Sequence, residues 1–444
     1  MDPEDATLRF PRLRRRLRKL ALCFAGVVVL GAIAFLVHRI VVAQRWKRFE
    51  CELAELNAAL PTTAPGRVTL LEPRTPGNAW DGYLAALNLM SVGSAPGDEV
   101  ASAYLKGAVG PKDVELVRIW LEQKRPALDI LFAAARCEQA EAGARVPKGN
   151  EVYRVLSRGW KLHWAARVDA WMSLRRGDRA GFTLRLAAIA QFALDLSRVP
   201  RDACSGAGAM MIEDQLQQAA ALVGDPGATP QELMEIAGLW ESIERNLPTS
   251  SQICALALAG EGRELRSVSA DAYPWYRMQQ HVGIRLPYRP LVTRLVFVAC
   301  GFSIRSAIVD RWDADQRRRA HVNDAETASY GAVCAALNQD HELRRYSLNP
   351  LLHQDRYPIP PEFLTRRVRA RSSLLRAAVQ LRLGQAPLGP DWPTDPFSLK
   401  PIGYRTVGKR IVLWSEADYG DQGGIGEWEE VWGRCDLVLL MDLP

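Results

Sequence analysis

The stretch WKLHWAARVDAWMSLRRGDRAGFTLRLAAIAQFALDLS, residues 160–197, decides the fold. Trp160, Trp164, Val168, Trp171 and Leu174 recur at the three- and four-residue spacing of one helix face. Arg176-Gly177-Asp178 then supplies a glycine to end that helix and an aspartate to cap the next. Phe182, Leu186, Ile189, Phe192, Ala193 and Leu196 repeat the helical stripe. Two amphipathic helices joined by so tight a turn predict an αα-hairpin, the building block of bundles and solenoids. The adhesion reading of Arg-Gly-Asp is set aside, because capping accounts for all three residues.

The same texture extends on both sides. Asn78 is placed to cap a helix carrying Trp80, Tyr83, Leu84 and Leu87, and Asp113 starts one carrying Leu116, Val117, Trp120 and Leu121. Pro126 predicts an interruption, with a new helix running through Ile130, Leu131 and Ala134. Thr229-Pro230-Gln231-Glu232 joins a capping box to a proline at the first helical position, ahead of Leu233, Ile236, Ala237, Trp240 and Ile243. Pro248 and Thr249 mark a further start, leading to Ile253 through Leu265. The run Leu295 to Ile304 is apolar but too short to cross a bilayer, so it reads as a buried helix. Pro361 to Gly384 is the last long helix, expected to turn Val368, Leu375, Val379 and Leu383 inward and its arginines outward. No strict 34-residue repeat is visible, so the fold class is mainly α, an irregular bundle or a degenerate solenoid.

Farther out, Leu20 to Val37 is a run of eighteen residues without a charge, and apolar character resumes after Arg39 as far as Ala43. At 1.5 Å per residue, eighteen residues reach about 27 Å, close to the hydrocarbon thickness of a bilayer. The chain carries a net charge of +7, and residues 1–50 hold eleven Lys and Arg against four Asp and Glu. The whole excess therefore flanks the apolar run and the remainder is neutral. That pattern points to anionic head groups and removes the main reason to expect nucleic acid. Seven bases precede the run and four follow it, which predicts a cytoplasmic N-terminus and an external body at the plasma (inner) membrane. Ala32-Ile33-Ala34 fits a signal cleavage site, but the apolar residues that continue through Val37 fit an uncleaved anchor better.

After Gly384 the texture changes. Prolines recur at 387, 390, 393, 396 and 401, and Tyr404 to Val407, Gly408-Lys409 and Arg410 to Trp414 read as a β-hairpin. An acidic, glycine-rich loop follows, and Asp436 to Met441 closes as a strand. The ordered series Pro387, Asp395-Pro396-Phe397, Lys400-Pro401, Tyr404, a strand ending in Ser415, Asp418, Asp421-x-Gly423-Gly424 and Asp436-Leu437 resembles the C-terminal region of the type II secretion major pseudopilin. It is closer still to the tail of uncharacterised membrane-anchored bacterial proteins with helical bodies. The resemblance covers roughly residues 365–444. It implies a calcium site at Asp418 and Asp421, with Ser415 or Asp436 as further ligands. The pseudopilin's Gly-x-Asp-Gly is here Ala417-Asp418-Tyr419-Gly420, and no pilin processing signature precedes the apolar run. The expected organisation is a basic cytoplasmic segment (1–19), a transmembrane helix (20–43), a connector (44–77), a helical domain (78–384) and a pseudopilin-like β module (385–444).

No catalytic motif is present, so no catalytic or cofactor-binding residue is assigned. His341-Glu342 lacks a second histidine at the zincin spacing, and Ser205-Gly206-Ala207-Gly208 follows no strand and lacks the P-loop lysine. The eight cysteines form no Cys-x-x-Cys pair. His163, beside Trp164, reads as a packed histidine. The acidic loop from Glu416 to Glu430 offers six carboxylates, oxygen donors of the kind calcium takes, or else a solvated turn. The reading that follows is a membrane-anchored helical scaffold with a protein partner. The alternatives are an envelope enzyme drawing on Glu261, Glu264, His281 and Asp310, and a calcium-dependent secretion-related component.

Overall fold

The Arg176-Gly177-Asp178 turn forms as its residues dictate. In the computed structural model Gly177 takes a φ of +78°, and the Asp178 carboxylate accepts from the Gly181 N–H at 2.9 Å. The residues described are 3–59, 67, 69–90, 97–105, 111–142, 151–199, 202–269, 304–323, 361–408, 410–416 and 437–442. The expected helix Leu295 to Ile304 lies outside them except for Ile304. The chain is mainly helical and divides into two compact units, the first made of Met1–Glu55, Leu265–Ala314 and Leu348–Gln354. The second holds Leu56–Glu264, Asp315–Ser347 and Asp355–Pro444.

In the second unit, β1 (Thr75–Asn78) leads directly into α2 (Ala79–Asn88), followed by α3 (Asp98–Leu105) and α4 (Pro111–Ala134). A short parallel pair joins β1 to β2 (Cys137–Gln139). Asn78 binds both ends of this corner: its Oδ1 accepts from Trp80 N at 3.1 Å, capping α2, and from Glu141 N at 3.1 Å. α2 lies so close to α4 that a Cβ on Gly82 would come within 2.6 Å of the Ala134 Cβ. The expected break at Pro126 does not occur, and α4 runs through it. Pro126 and Glu122, whose carbonyl lacks the N–H that Pro126 cannot supply, are both exposed residues, a setting in which water is at hand for such an oxygen.

α5 (Glu151–Arg175), α6 (Arg179–Ser197) and α7 (Asp202–Gly224) pack on one another, each touching the other two. Phe182, Leu186, Ile189, Phe192, Ala193 and Leu196 of α6 are all buried. On α5 the tryptophans are only half-buried, while Val168 of the expected stripe is fully buried together with Leu162, Ala165, Ala166 and Ala170. Small side chains let the helices approach, and the indoles seal the flank, Trp164 meeting Trp120 edge-on at 5.4 Å. Gly208 works in the same way, since a Cβ there would fall 2.5 Å from the Ala193 carbonyl of α6. The glycine-rich Ser205 to Gly208 is therefore a helix-crossing element. α8 (Pro230–Asn246) opens with the expected capping box at Thr229 and Glu232, and α9 (Ser250–Ser269) with Thr249, whose Oγ1 accepts from Gln252 N at 3.1 Å.

α10 (Ile304–Asn323) precedes α11 (Pro361–Arg382), which packs against α7 and α8. α11 also carries an antiparallel sheet in the order β3 (Gly403–Val407), β4 (Arg410–Ser415), β5 (Leu437–Asp442), with Tyr404 opposite Leu413 and Val412 opposite Leu440. The hairpin turns at Gly408, φ +62°.

The first unit is built on α1 (Pro3–Ala59), which is continuous past the apolar run. From Leu20 to Val41 every residue but His38 is exposed, Leu22 at 73% and Phe24 at 72%. From Val42 the stripe Val42, Trp46, Phe49 and Leu53 is buried. Phe49 meets Trp312 of α10 edge-on at 4.9 Å, and Arg45 pairs with Asp310 at 2.7 Å and Asp313 at 2.6 Å.

Candidate functional site

Three buried polar clusters in the second unit are the candidates. In the first, Arg67 of the connector reaches Asp195 of α6. Its Nε donates to Oδ1 at 3.2 Å and Oδ2 at 3.1 Å, and its Nη2 also donates to Oδ2. The Tyr83 hydroxyl donates to Oδ2 at 2.8 Å and accepts from Arg67 Nη2 at 2.9 Å. Gln191, one turn before Asp195, donates to Oδ1 at 3.1 Å and accepts from Leu70 N at 2.9 Å. Arg67 Nη1 donates to the Cys137 carbonyl. Both charged side chains are within 1% of complete burial, so the pair holds only because each oxygen of the carboxylate has several donors. Burial and the Asp195 charge push the Tyr83 phenol well above its usual range, so it stays protonated as a donor.

The second cluster corrects an expectation. The arginines of α11 do not form an outer face: Arg366, Arg367 and Arg371 are buried. Arg367 pairs with Glu213 of α7 at 2.6 Å, Arg371 with the same oxygen at 3.3 Å, and Arg366 donates to the Pro396 carbonyl at 2.8 Å. Arg376 pairs with Glu244 of α8 at 3.4 Å, and Arg382 donates to the Val223 and Asp225 carbonyls at the end of α7, both at 3.1 Å. Enclosure by α7, α8 and the sheet takes Arg366, Arg367 and Arg371 out of solvent and leaves Arg376 and Arg382 half-buried, and acids and carbonyl oxygens of the surrounding segments take the place of water.

Beside Glu213, Asp214 accepts from Arg167 of α5 at 2.9 Å and lies 3.4 Å from His163 Nε2. Loss of solvent works against its carboxylate, but the His163 hydrogen bond and the Arg167 charge outweigh this and hold it below the usual range. His163 is packed, as expected, at 1% exposure and edge-on to Trp160, and burial pushes its imidazole below the ordinary 6.5. Its Nδ1 has no hydrogen-bond partner among the described residues. A neutral histidine sharing its carboxylate with an arginine is poorly placed to take up a proton, so this is a cohesive ion network.

The third cluster lies under the sheet. The Asp395 carboxylate accepts from Ser415 Oγ at 2.6 Å, Ser398 Oγ at 2.8 Å, Glu416 N at 3.0 Å and Phe397 N at 3.1 Å. Ser373 of α11 donates to the Thr394 carbonyl at 3.0 Å, tying this knot to the helix. Of the calcium positions, Asp418, Asp421 and Asp436 lie outside the described residues. Ser415 is wholly buried and its hydroxyl is committed to Asp395. No group of three or more His, Cys, Asp or Glu among the described residues is placed to hold a metal ion.

No family model, curated protein or solved structure matches this chain. The clusters must therefore be read from their own geometry. Of the residues weighed for an enzyme, Asp310 is held by Arg45, Glu261 sits half-buried on α9, and His281 and the Glu264 side chain lie outside the described residues. Arg67, Asp195, Glu213 and Asp214 did not stand out in the sequence, where Tyr83 figured only on a helix stripe and Asp395 only in the pseudopilin-like series. One signal was visible: Asp195 stands between Leu194 and Leu196 in the most apolar helix of the hairpin, where a carboxylate needs a partner.

Proposed function

We propose that this chain is a single-pass protein of the bacterial cell envelope whose helical body serves as a scaffold for a protein partner. One observation carries the reading: Leu20 to Val41 forms a helical surface rich in leucine, valine, isoleucine and phenylalanine, about 33 Å long, on which every residue but His38 is exposed. A bilayer is the environment in which such a rod is stable, since its backbone is satisfied internally and its side chains need no water. The body supports the scaffold half of the reading. Among the described residues, its buried carboxylates are matched by guanidinium groups, hydroxyls and backbone N–H groups, pairings that tie one helix to the next. The flanking charges favour a cytoplasmic N-terminus and an external body.

Two measurements on the full-length protein in cells test this. Cys51 is exposed just beyond the apolar surface, so a membrane-impermeant maleimide should label it in intact cells, with the site located by mass spectrometry. Labelling only after lysis reverses the orientation. Crosslinking in membranes should recover one dominant protein partner, and turnover of an envelope substrate without a partner would replace the scaffold with an enzyme.

A further inference from the structure

The apolar surface of α1 ends at Val41, and α10 covers the helix immediately beyond, Arg305 lying 5.0 Å over the Trp46 ring. The acids of this region within reach of that boundary are matched. Arg45 holds Asp310 and Asp313, Arg48 and the Trp312 indole N–H hold Glu52 at 2.6 and 2.7 Å, and Arg266 lies 3.6 Å from Glu50. Glu55, also exposed, is about 21 Å past Val41 along the helix. Three bases have no such match: Arg39, Lys47 and Arg305 are exposed and no carboxylate among the described residues lies within ion-pair distance of them.

Their depth fits the charge. Arg39 lies about 3 Å before the end of the apolar surface, its guanidinium 5.9 Å over the Phe35 ring, and the Lys47 backbone lies about 9 Å past it, a distance its four-carbon stem can shorten by reaching back towards the bilayer. The polar layer of a bilayer extends about 5–8 Å beyond the hydrocarbon on each face. Arg305, stacked on Trp46, falls at the same level although it comes from a helix far along the chain. We propose that Arg39 and Lys47 of α1 and Arg305 of α10 form a composite basic collar that binds the phosphates of anionic phospholipids where α1 leaves the bilayer. The inference rests on the membrane-spanning reading of α1. It adds that a helix from the far part of the sequence is seated at the lipid surface.

The test uses the full-length protein in bilayers of phosphatidylcholine and phosphatidylglycerol, with either lipid spin-labelled and the motionally restricted fraction measured. Phosphatidylglycerol should be preferred by about fivefold, the effect of one base at an anionic surface. The preference should shrink at about 1 M salt, where charges are screened within about 3 Å. R305Q alone should reduce it, R39Q/K47Q/R305Q should abolish it, and R305K should retain it. Equal restriction of both lipids, or a preference that R305Q leaves unchanged in protein whose melting temperature is unaltered, overturns the collar while leaving the anchor intact. Protein that fails to enter the bilayer at all overturns both.

Discussion

His163 shows how one buried side chain sets a pH response for the second unit. Its folded pKa is lowered from 6.5 by burial, so below that value the unfolded chain binds the proton more tightly. Stability should therefore fall as pH drops from about 6.5 towards the folded pKa, and be flat above it. H163Q should remove that slope while Asp214, ionised throughout this window, keeps its pairing with Arg167; melting temperature against pH, in parent and variant, checks it. Asp195 bears on a larger energy. D195A leaves the Arg67 guanidinium buried without its carboxylate and should cost about 3–5 kcal/mol, read from the urea midpoint of the full-length protein in detergent. R67A/D195A should cost less than the sum of the two single changes, because the charges then leave together. Neither partner identifies the other in the sequence. Asp195 is conspicuous among leucines, but Arg67 sits in a polar connector where an arginine raises no question.

At the level of elements, the ends of helices were legible and their polar faces were not. Asn78, Asp178, Thr229 and Thr249 all cap where their spacing predicts, because a cap is a local bond between residues two or three apart. Pro126 misled because its cost depends on whether the freed carbonyl faces water, which spacing alone does not disclose. α11 misled more deeply: periodicity says where apolar groups go, whereas the arginines went inside to meet acids and carbonyls on α7 and α8. The β-hairpin was readable from its turn, but the Asp395 knot that seats it was not, since its donors come from four separate positions. Ser415 gives the knot a measurable role. S415A removes one of five donors from a carboxylate that burial already pushes above its usual range, and should cost about 1–3 kcal/mol. Faster amide hydrogen exchange should then be confined to β4 and its neighbours; uniform acceleration would show that the sheet is not held locally.

Across the described residues, an exposed apolar rod and a packed body stand in one chain, and on the proposed membrane reading of α1 one rule accounts for both, applied in two solvents. In the body, Trp80, Trp240 and Trp312 are almost completely buried, while in α1 phenylalanine and leucine stand exposed over six turns. A single water-soluble fold would not keep both. Their coexistence makes a truncation diagnostic, because Leu20 to Val41 contributes to no core and Val42, Trp46, Phe49 and Leu53 do. Removing residues 1–41 should yield protein that stays in the supernatant after lysis without detergent, with an unfolding free energy from urea titration within about 0.5 kcal/mol of the full-length protein, the usual tolerance for changes outside any packed contact. Removing residues 1–55 strips Phe49 from Trp312 and the Arg45 pairing from Asp310 and Asp313, and should destabilise the first unit and expose apolar surface to dye binding. If the shorter truncation aggregates and the longer one does not, the boundary between lipid and protein is not at Val42. The covered stripe would then belong to the membrane segment rather than to the fold.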